Sequence, residues 1–298
     1  MSVAEAQARE LALDERSGPW RDAWERLRRN PGAIVGAVVL ATFVALAVFA
    51  PLIAPYDPGE QVAGLAATPP GPSAEHLFGL DDQGRDVFSR VVYGARFSLL
   101  IGIVSVAVGL SGGMALGAVA GTAGGITDTV IMRLMDILLS IPSLLLAIGL
   151  VTLLDRGLVQ VMVAVGIVNI PVFARLLRGT MLGVRESDYV LAARAVGTPR
   201  GRLLLTHILP NSIAPVIVQA TLATATAIVD VAGLSFLGLG PADPGLPEWG
   251  KILADNFTRM QASPHLVFFP GFAIVLSVLA INLIGDGLRE AIDPRLRT

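Results

Sequence analysis

Six apolar runs divide this chain, at about 33–53, 97–121, 129–154, 158–177, 212–237 and 266–288. A helix rises about 1.5 Å per residue, so about twenty apolar residues reach across the ~30 Å hydrocarbon layer of a bilayer. Only 15% of the 298 residues are charged, against roughly a quarter in a soluble domain. The expected fold class is therefore an all-α membrane protein with about six transmembrane helices. The first run resembles a signal peptide at its end, where Val48 and Ala50 are small. It is too long for such a core, and Pro51 directly after Ala50 opposes cleavage. It reads as a retained first span.

The placement of charge orients the spans. Arg9, Arg16, Arg21, Arg26, Arg28 and Arg29 precede the first run. Arg178, Arg185, Arg194, Arg200 and Arg202 lie between the fourth and fifth, and Arg289, Arg295 and Arg297 close the chain. Acidic residues dominate 56–95 instead: Asp57, Glu60, Glu75, Asp81, Asp82 and Asp86 against Arg85 and Arg90. The positive-inside rule puts both termini and the 178–211 loop in the cytoplasm. The expected organisation is a cytoplasmic N-terminal segment over 1–32 and a first transmembrane helix over 33–55. An extracytoplasmic loop follows over 56–95, then a core over 96–298 with five further spans. Trp20, Trp24 and Leu27 recur at helical spacing, so the N-terminal segment is expected to lie amphipathically on the membrane surface. Pro-rich stretches, Thr68-Pro69-Pro70-Gly71-Pro72 and the one around Pro241, Pro244 and Pro247, mark two long outer loops.

Several chemistries are excluded. There is no cysteine and there are three scattered histidines, His76, His207 and His265, so thiolate catalysis and a His/Cys metal cluster are not expected. The lysine of a phosphate-binding loop must be followed by Ser or Thr within a glycine-rich turn. The one lysine, Lys251, is followed by Ile252. ATP hydrolysis, if it drives this protein, belongs to another polypeptide.

Within the spans, Gly109, Gly113, Gly117 and Gly121 recur every fourth residue, with Ser105 one step earlier. That strips one helix face for close packing, either static or sliding during gating. Arg133 and Asp136 lie three apart and are expected to pair on one face. Pro142 and Pro171 favour kinks, which serve a gate or plain architecture. Asp230 interrupts the fifth run, about 27 Å along a helix starting near Ser212. It is either a pathway carboxylate or a hydrated group at the outer mouth.

The 178–211 loop carries the most specific pattern. Asp188-Tyr189-Val190-Leu191-Ala192-Ala193-Arg194-Ala195-Val196-Gly197 reads as a short helix ended by Gly197-Thr198-Pro199, and a second helix starts near Leu203. It resembles the coupling loop of ABC-importer permeases at Ala192, Ala193 and Gly197, then at Leu209-Pro210. It departs at Leu191, where the pattern has Glu, and at His207, where it has Ile. Three more segments resemble the C-type subunit of the dipeptide, oligopeptide and nickel permeases. They are Phe78-Gly79-Leu80-Asp81 through Tyr93-Gly94-Ala95-Arg96, then Leu234-Ser235-Phe236-Leu237-Gly238 with Pro247-Glu248-Trp249-Gly250, and Gly285-Asp286-Gly287-Leu288-Arg289 through Asp293-Pro294-Arg295. Asp230 stands where that family has an acidic residue.

The resemblance implies a type I ABC-importer-like permease fold in a bacterial plasma membrane. It implies a heterodimer with a homologous B-type permease, two cytoplasmic ABC ATPase subunits or domains, and an extracytoplasmic substrate-binding protein. ATP and Mg would sit on the ATPases, with no cofactor in this chain, no metal and no nucleic-acid partner. Asp188, Tyr189, Val190, Leu191, Ala192, Ala193, Arg194, Gly197, Leu209 and Pro210 would form the ATPase-coupling element. Peptides are the expected cargo, with nickel chelates or other small solutes as the alternative. An ion-coupled secondary transporter is the rival class, but the sequence carries no repeat and no midplane ion site. A membrane hydrolase would need a nucleophile–base pair or a metal cluster within the spans.

Overall fold

The computed structural model describes residues 19–62, 70–154 and 157–292. Arg9, Arg16, Thr68, Pro69 and the Asp293–Arg297 part of the C-terminal motif fall outside the described residues. Among the described residues the regular secondary structure is helical, apart from one isolated bridge between Leu80 and Asp86. Five helices are long and apolar enough to cross a membrane, and a sixth crossing is available if one sharply bent pair counts as a single span.

A short helix α1 (Pro19–Leu27) leads into the first span α2 (Pro31–Val48) and a last turn α3 (Ala50–Ile53). Asn30 accepts from the Ala33 amide at 3.0 Å and caps α2. The other end of its amide donates to Glu290 at 2.7 Å. This ties the start of the chain to the last helix, and Ala23 of α1 is buried on that side.

The second span, α4 (Val87–Ala123), has 37 residues and is capped by Asp86, which accepts from the Ser89 amide. It is about 55 Å long, far more than the hydrocarbon layer needs. Its first turns, expected as loop, are helix, because Asp86 supplies a cap before the apolar run begins. Arg96 of this helix donates to the carbonyl oxygens of Ala47 and Val48, the latter at 3.0 Å. A cation thus meets the exposed carbonyl end of α2.

The third apolar run forms α5 (Gly125–Ser140) and α6 (Ser143–Leu154), bent by 96° at the break. The Pro142 kink is therefore a break. The fourth span, α7 (Leu158–Arg185), runs through Pro171 and beyond the expected end at 177. The expected Arg133–Asp136 pair does not form. Asp136 instead accepts from Arg175 of α7, and Asp128 takes Arg178 through two bonds, 3.0 and 2.6 Å. The Asp128–Arg178 contact is forked, and Asp136 likewise takes its charge partner from the neighbouring helix rather than from its own.

Helices α4 and α7 pack along their length on the glycine stripe. A Cβ on Gly109 would stand 2.8 Å from the Gly166 carbonyl, and one on Gly117 2.6 Å from that of Ala174. At Gly113 it would overlap Phe173 Cβ and lie 2.8 Å from the Ile170 carbonyl. Gly121, at the end of the stripe, meets only the Met181 side chain. The small residues let two backbones touch where no hydrophobic exclusion drives association. Pro171 is buried within α7.

After α7 come α8 (Asp188–Ala195) and α9 (Arg200–Leu203), which passes through a π-turn (Leu204–Ile208) into α10 (Leu209–Phe236). The wide turn suits Pro210, which has no amide hydrogen for an ordinary helical bond. The segment after α10, expected as irregular loop, contains a helix, α11 (Trp249–Asn256); α12 (His265–Ile292) ends the described chain.

Glu248 explains α11. It is fully buried and accepts from the amides of Gly250 and Lys251 at 2.7 and 2.8 Å. Ser235 of α10 and Ser98 of α4 donate to it at 3.1 and 3.4 Å. Burial pushes its carboxyl above the usual range, and these four donors oppose that. Trp249 beside it is enclosed, donates to the Val91 carbonyl at 2.8 Å and meets Phe43 edge-on. Glu248→Ala would leave amide and hydroxyl groups unpaired in the interior, at a cost on the order of 3 kcal/mol. Glu248→Gln keeps one acceptor oxygen and should cost less. Thermal unfolding of the purified complex would check the order, which fails if both variants melt with the wild type.

Candidate functional site: the α8 loop and its cavity

Helix α8 has two unlike faces. Val190 is fully buried, and Ala193, one turn on, packs against the main apolar core. Tyr189, Leu191 and Val196 are exposed at 47, 46 and 84%. Asp188 and Ala192 are exposed as well. Tyr189 and Leu191 stand on the eight-residue helix and Val196 directly follows it, all three left exposed by the described residues. Exposed apolar groups gathered in this way make it a candidate docking surface.

The exit from α8 is fixed by Gly197. Its φ is +84°, a region that residues with a Cβ enter at a cost. The Gly197 amide donates to the Arg194 carbonyl at 3.0 Å, and the Thr198 amide to that of Ala193 at 3.1 Å. This pair of bonds is the glycine-ended helix stop of a Schellman motif. No other atom would lie within 4 Å of a Cβ at Gly197, so the requirement is conformational and not spatial. At the start of α8, Ser187 provides no side-chain cap and donates back to the Val184 carbonyl at 2.6 Å.

Leu209 and Pro210 are not on this surface. Leu209 packs against the core behind α8, and Pro210 is exposed at the start of α10. The structure therefore separates the ten candidate coupling residues. Tyr189, Leu191 and Ala192 face outward, Val190 and Ala193 anchor the helix, Gly197 ends it, and Leu209 and Pro210 belong to the following span.

Between α8 and the spans lies a cavity of about 380 Å³. Its walls are the last turns of α4 (Gly121, Thr122) and α7 (Met181, Arg185), the α8 exit (Arg194, Gly197, Thr198, Arg200) and the run Leu203, Leu204 and Ile208. Arg185 and Arg200, read from the sequence only as topology charges, come together in this lining.

Asp230 sits on α10 far from α8, half-buried and without a hydrogen bond or ion pair among the described residues. One turn further on, Gly233 faces Leu144, just after the break at Pro142. Pro142 and Asp230 thus belong to one end of the molecule, while Pro171 is buried in the middle of α7. That Asp81 and Arg85, from the resembling outer segment, bond at 2.7 Å with both buried was not legible from their spacing. Nor was the cross-helix partner of Asp136.

Comparison with known proteins agrees along the chain. Residues 113–298 match the family described as binding-protein-dependent transport system inner membrane component. Residues 18–70 match the N-terminal transmembrane domain of oligopeptide transport permease C. A dipeptide transport system permease protein of Alkalihalophilus pseudofirmus is 47% identical over 285 residues, covering 94% of this chain and 91% of that protein. A di/tripeptide transport permease of Pseudomonas aeruginosa is 46% identical, covering 94 and 93%. A glutathione transport permease of Escherichia coli is 43% identical, covering 95 and 93%. Among solved structures, the MetNI methionine ABC transporter in inward-facing form superimposes with a TM-score of 0.57 at 19% identity, covering 68% of this chain and 96% of that one. The last likeness speaks to the fold.

Proposed function

Because this chain belongs to the inner-membrane components of binding-protein-dependent transport systems, as a C-type subunit of the peptide permeases, we propose that it forms half of a pathway importing short peptides. It is a multi-pass inner-membrane permease subunit of an ABC importer. The observation that carries the cargo is the full-length likeness to permeases named for dipeptides, di/tripeptides and glutathione. All three are short peptides.

The energy supply would be external. In this reading a homologous second permease completes the pathway, two ATPase subunits or domains bind ATP and Mg, and a binding protein delivers cargo from outside. The arginine distribution supports cytoplasmic termini and a cytoplasmic α8. Helix α8 would receive the motion of the ATPases through its outward apolar face and pass it to the spans through Val190 and Ala193. A permease with this role contributes positioning and a moving path, and no covalent step.

Uptake into proteoliposomes holding the whole complex tests this. A labelled dipeptide should enter only with ATP inside and binding protein outside, and should be indifferent to an uncoupler. Uptake that survives inactivation of the ATPase but collapses with an uncoupler would assign the chain to ion-coupled transport instead.

A further inference from the structure

The cavity behind α8 has a composition that docking to an ATPase does not explain. Three arginines line it, Arg185, Arg194 and Arg200, and no Asp or Glu does. None of the three makes an ion pair among the described residues. The acidic residues adjacent in sequence, Glu186 and Asp188, are exposed and outside the lining. Thr122 and Thr198 add two hydroxyl-bearing side chains, while Met181, Leu203, Leu204 and Ile208 supply an apolar wall.

Direction matters as much as composition. Arg194 lies one turn beyond the buried Val190, on the same face of α8. It therefore lines the cavity on the side of the spans. Tyr189, Leu191 and Val196 present the other, outward side. One short helix thus separates an apolar docking face from a cationic recess.

The recess lies at the final turns of α4 and α7, at or just past the ends of their apolar runs near residues 121 and 177. Arginine forks match phosphate oxygens in pairs. Basic pockets between spans at the cytoplasmic surface hold anionic headgroups. A free phosphate ion would neutralise the arginines but leave the apolar wall uncovered. A glycerophospholipid covers both, with its phosphate on the guanidinium groups and its glycerol and upper acyl carbons on Met181, Leu204 and Ile208. We propose that this cavity is a binding site for the phosphate headgroup of an anionic phospholipid, which braces α8 against the spans. The inference rests on α8 being cytoplasmic.

The test uses the whole importer in nanodiscs of phosphatidylcholine alone or mixed with phosphatidylglycerol. Lipids retained after delipidation are counted by native mass spectrometry, and binding-protein-stimulated ATP hydrolysis is measured in parallel. The wild type should retain a phosphatidylglycerol that R185Q/R200Q does not, and stimulation should be higher in the anionic discs only for the wild type. At the usual contribution of a basic residue near a lipid surface, losing two should weaken headgroup affinity about thirtyfold. Both arginines are exposed and outside ion pairs, so the variant should fold and work in phosphatidylcholine. Equal retention by the variant overturns the site. So does displacement of the lipid by millimolar inorganic phosphate, which would make it a free-anion site. Loss of the lipid from the wild type once the ATPases are bound would show that ATPase side chains occupy the cavity, and would also overturn it. Transport in phosphatidylcholine by both proteins would leave the permease reading intact whatever the lipid result.

Discussion

Gly113→Leu should prevent accumulation of a folded permease, while Gly112→Leu should leave most of it intact. Both residues are glycines in the middle of α4, about 100° apart around its axis. At Gly113 the first added carbon would overlap Phe173 Cβ and lie 2.8 Å from the Ile170 carbonyl and 3.0 Å from the Ala174 amide nitrogen. Two of those neighbours are backbone, so no rotamer change relieves the crowding. The helices would have to part, and the close contact along Gly109, Gly113 and Gly117 would go with them. Overpacking costs about 1–3 kcal/mol where side chains can yield. Here the loss should exceed that range, more than about a hundredfold in the folded population. At Gly112 the nearest atoms are Ile170 Cδ1 and Cγ1, at 2.9 and 3.1 Å. That side chain can rotate away, for about 1 kcal/mol. Size-exclusion profiles and melting of the co-expressed complex would separate the two. Equal yields would mean that α4 and α7 do not depend on the stripe.

That contact was legible in the sequence because one helix carried the whole signal. A period of four along α4 marks a face without reference to what covers it. Gly197 was legible for a similar reason, since a glycine after a short helix reports its own backbone need, now seen as φ of +84°. The spans emerged from apolar length alone, with boundaries that moved where a cap intervened. Asp86 extends α4 backward to Val87, and α7 continues to Arg185.

What stayed hidden depends on pairs distant in sequence. Asp136 finds Arg175 across a separation of 39 residues, and Asp128 finds Arg178 across 50. Nothing in the local spacing favours those partners over Arg133. Pro142 announced a bend, but its 96° follows from what α5 and α6 each pack against. Glu248 looked like one acidic residue in a Pro-rich loop. Its role as a cap for α11 needs Ser98 and Ser235 brought in from two spans. The Arg-lined recess was equally invisible, since five helical segments meet to enclose it.

Gly197→Val should uncouple the importer while leaving it assembled. Valine at φ of +84° is strained because its Cβ branches crowd the neighbouring carbonyl. The cost is about 1–2 kcal/mol for a left-handed residue, enough to shift the α8 exit toward other conformations roughly tenfold. Nothing lies within 4 Å of a Cβ there, so the rest of the fold has no reason to suffer. Gly197→Asn is the control, because asparagine tolerates the left-handed region. It should keep most transport. The two faces of α8 give a second, independent reading in this cysteine-free chain. A cysteine at Leu191, on the outward face, should crosslink to the ATPase subunit. A cysteine at Ala193, which packs against the core, should do so poorly. Leu191 also replaces the acidic residue of the resembling pattern, so the contact there should be apolar, and Leu191→Glu should weaken ATPase capture. If Gly197→Val transports like the wild type and no crosslink forms from position 191, α8 is not the element through which the ATPases drive this permease.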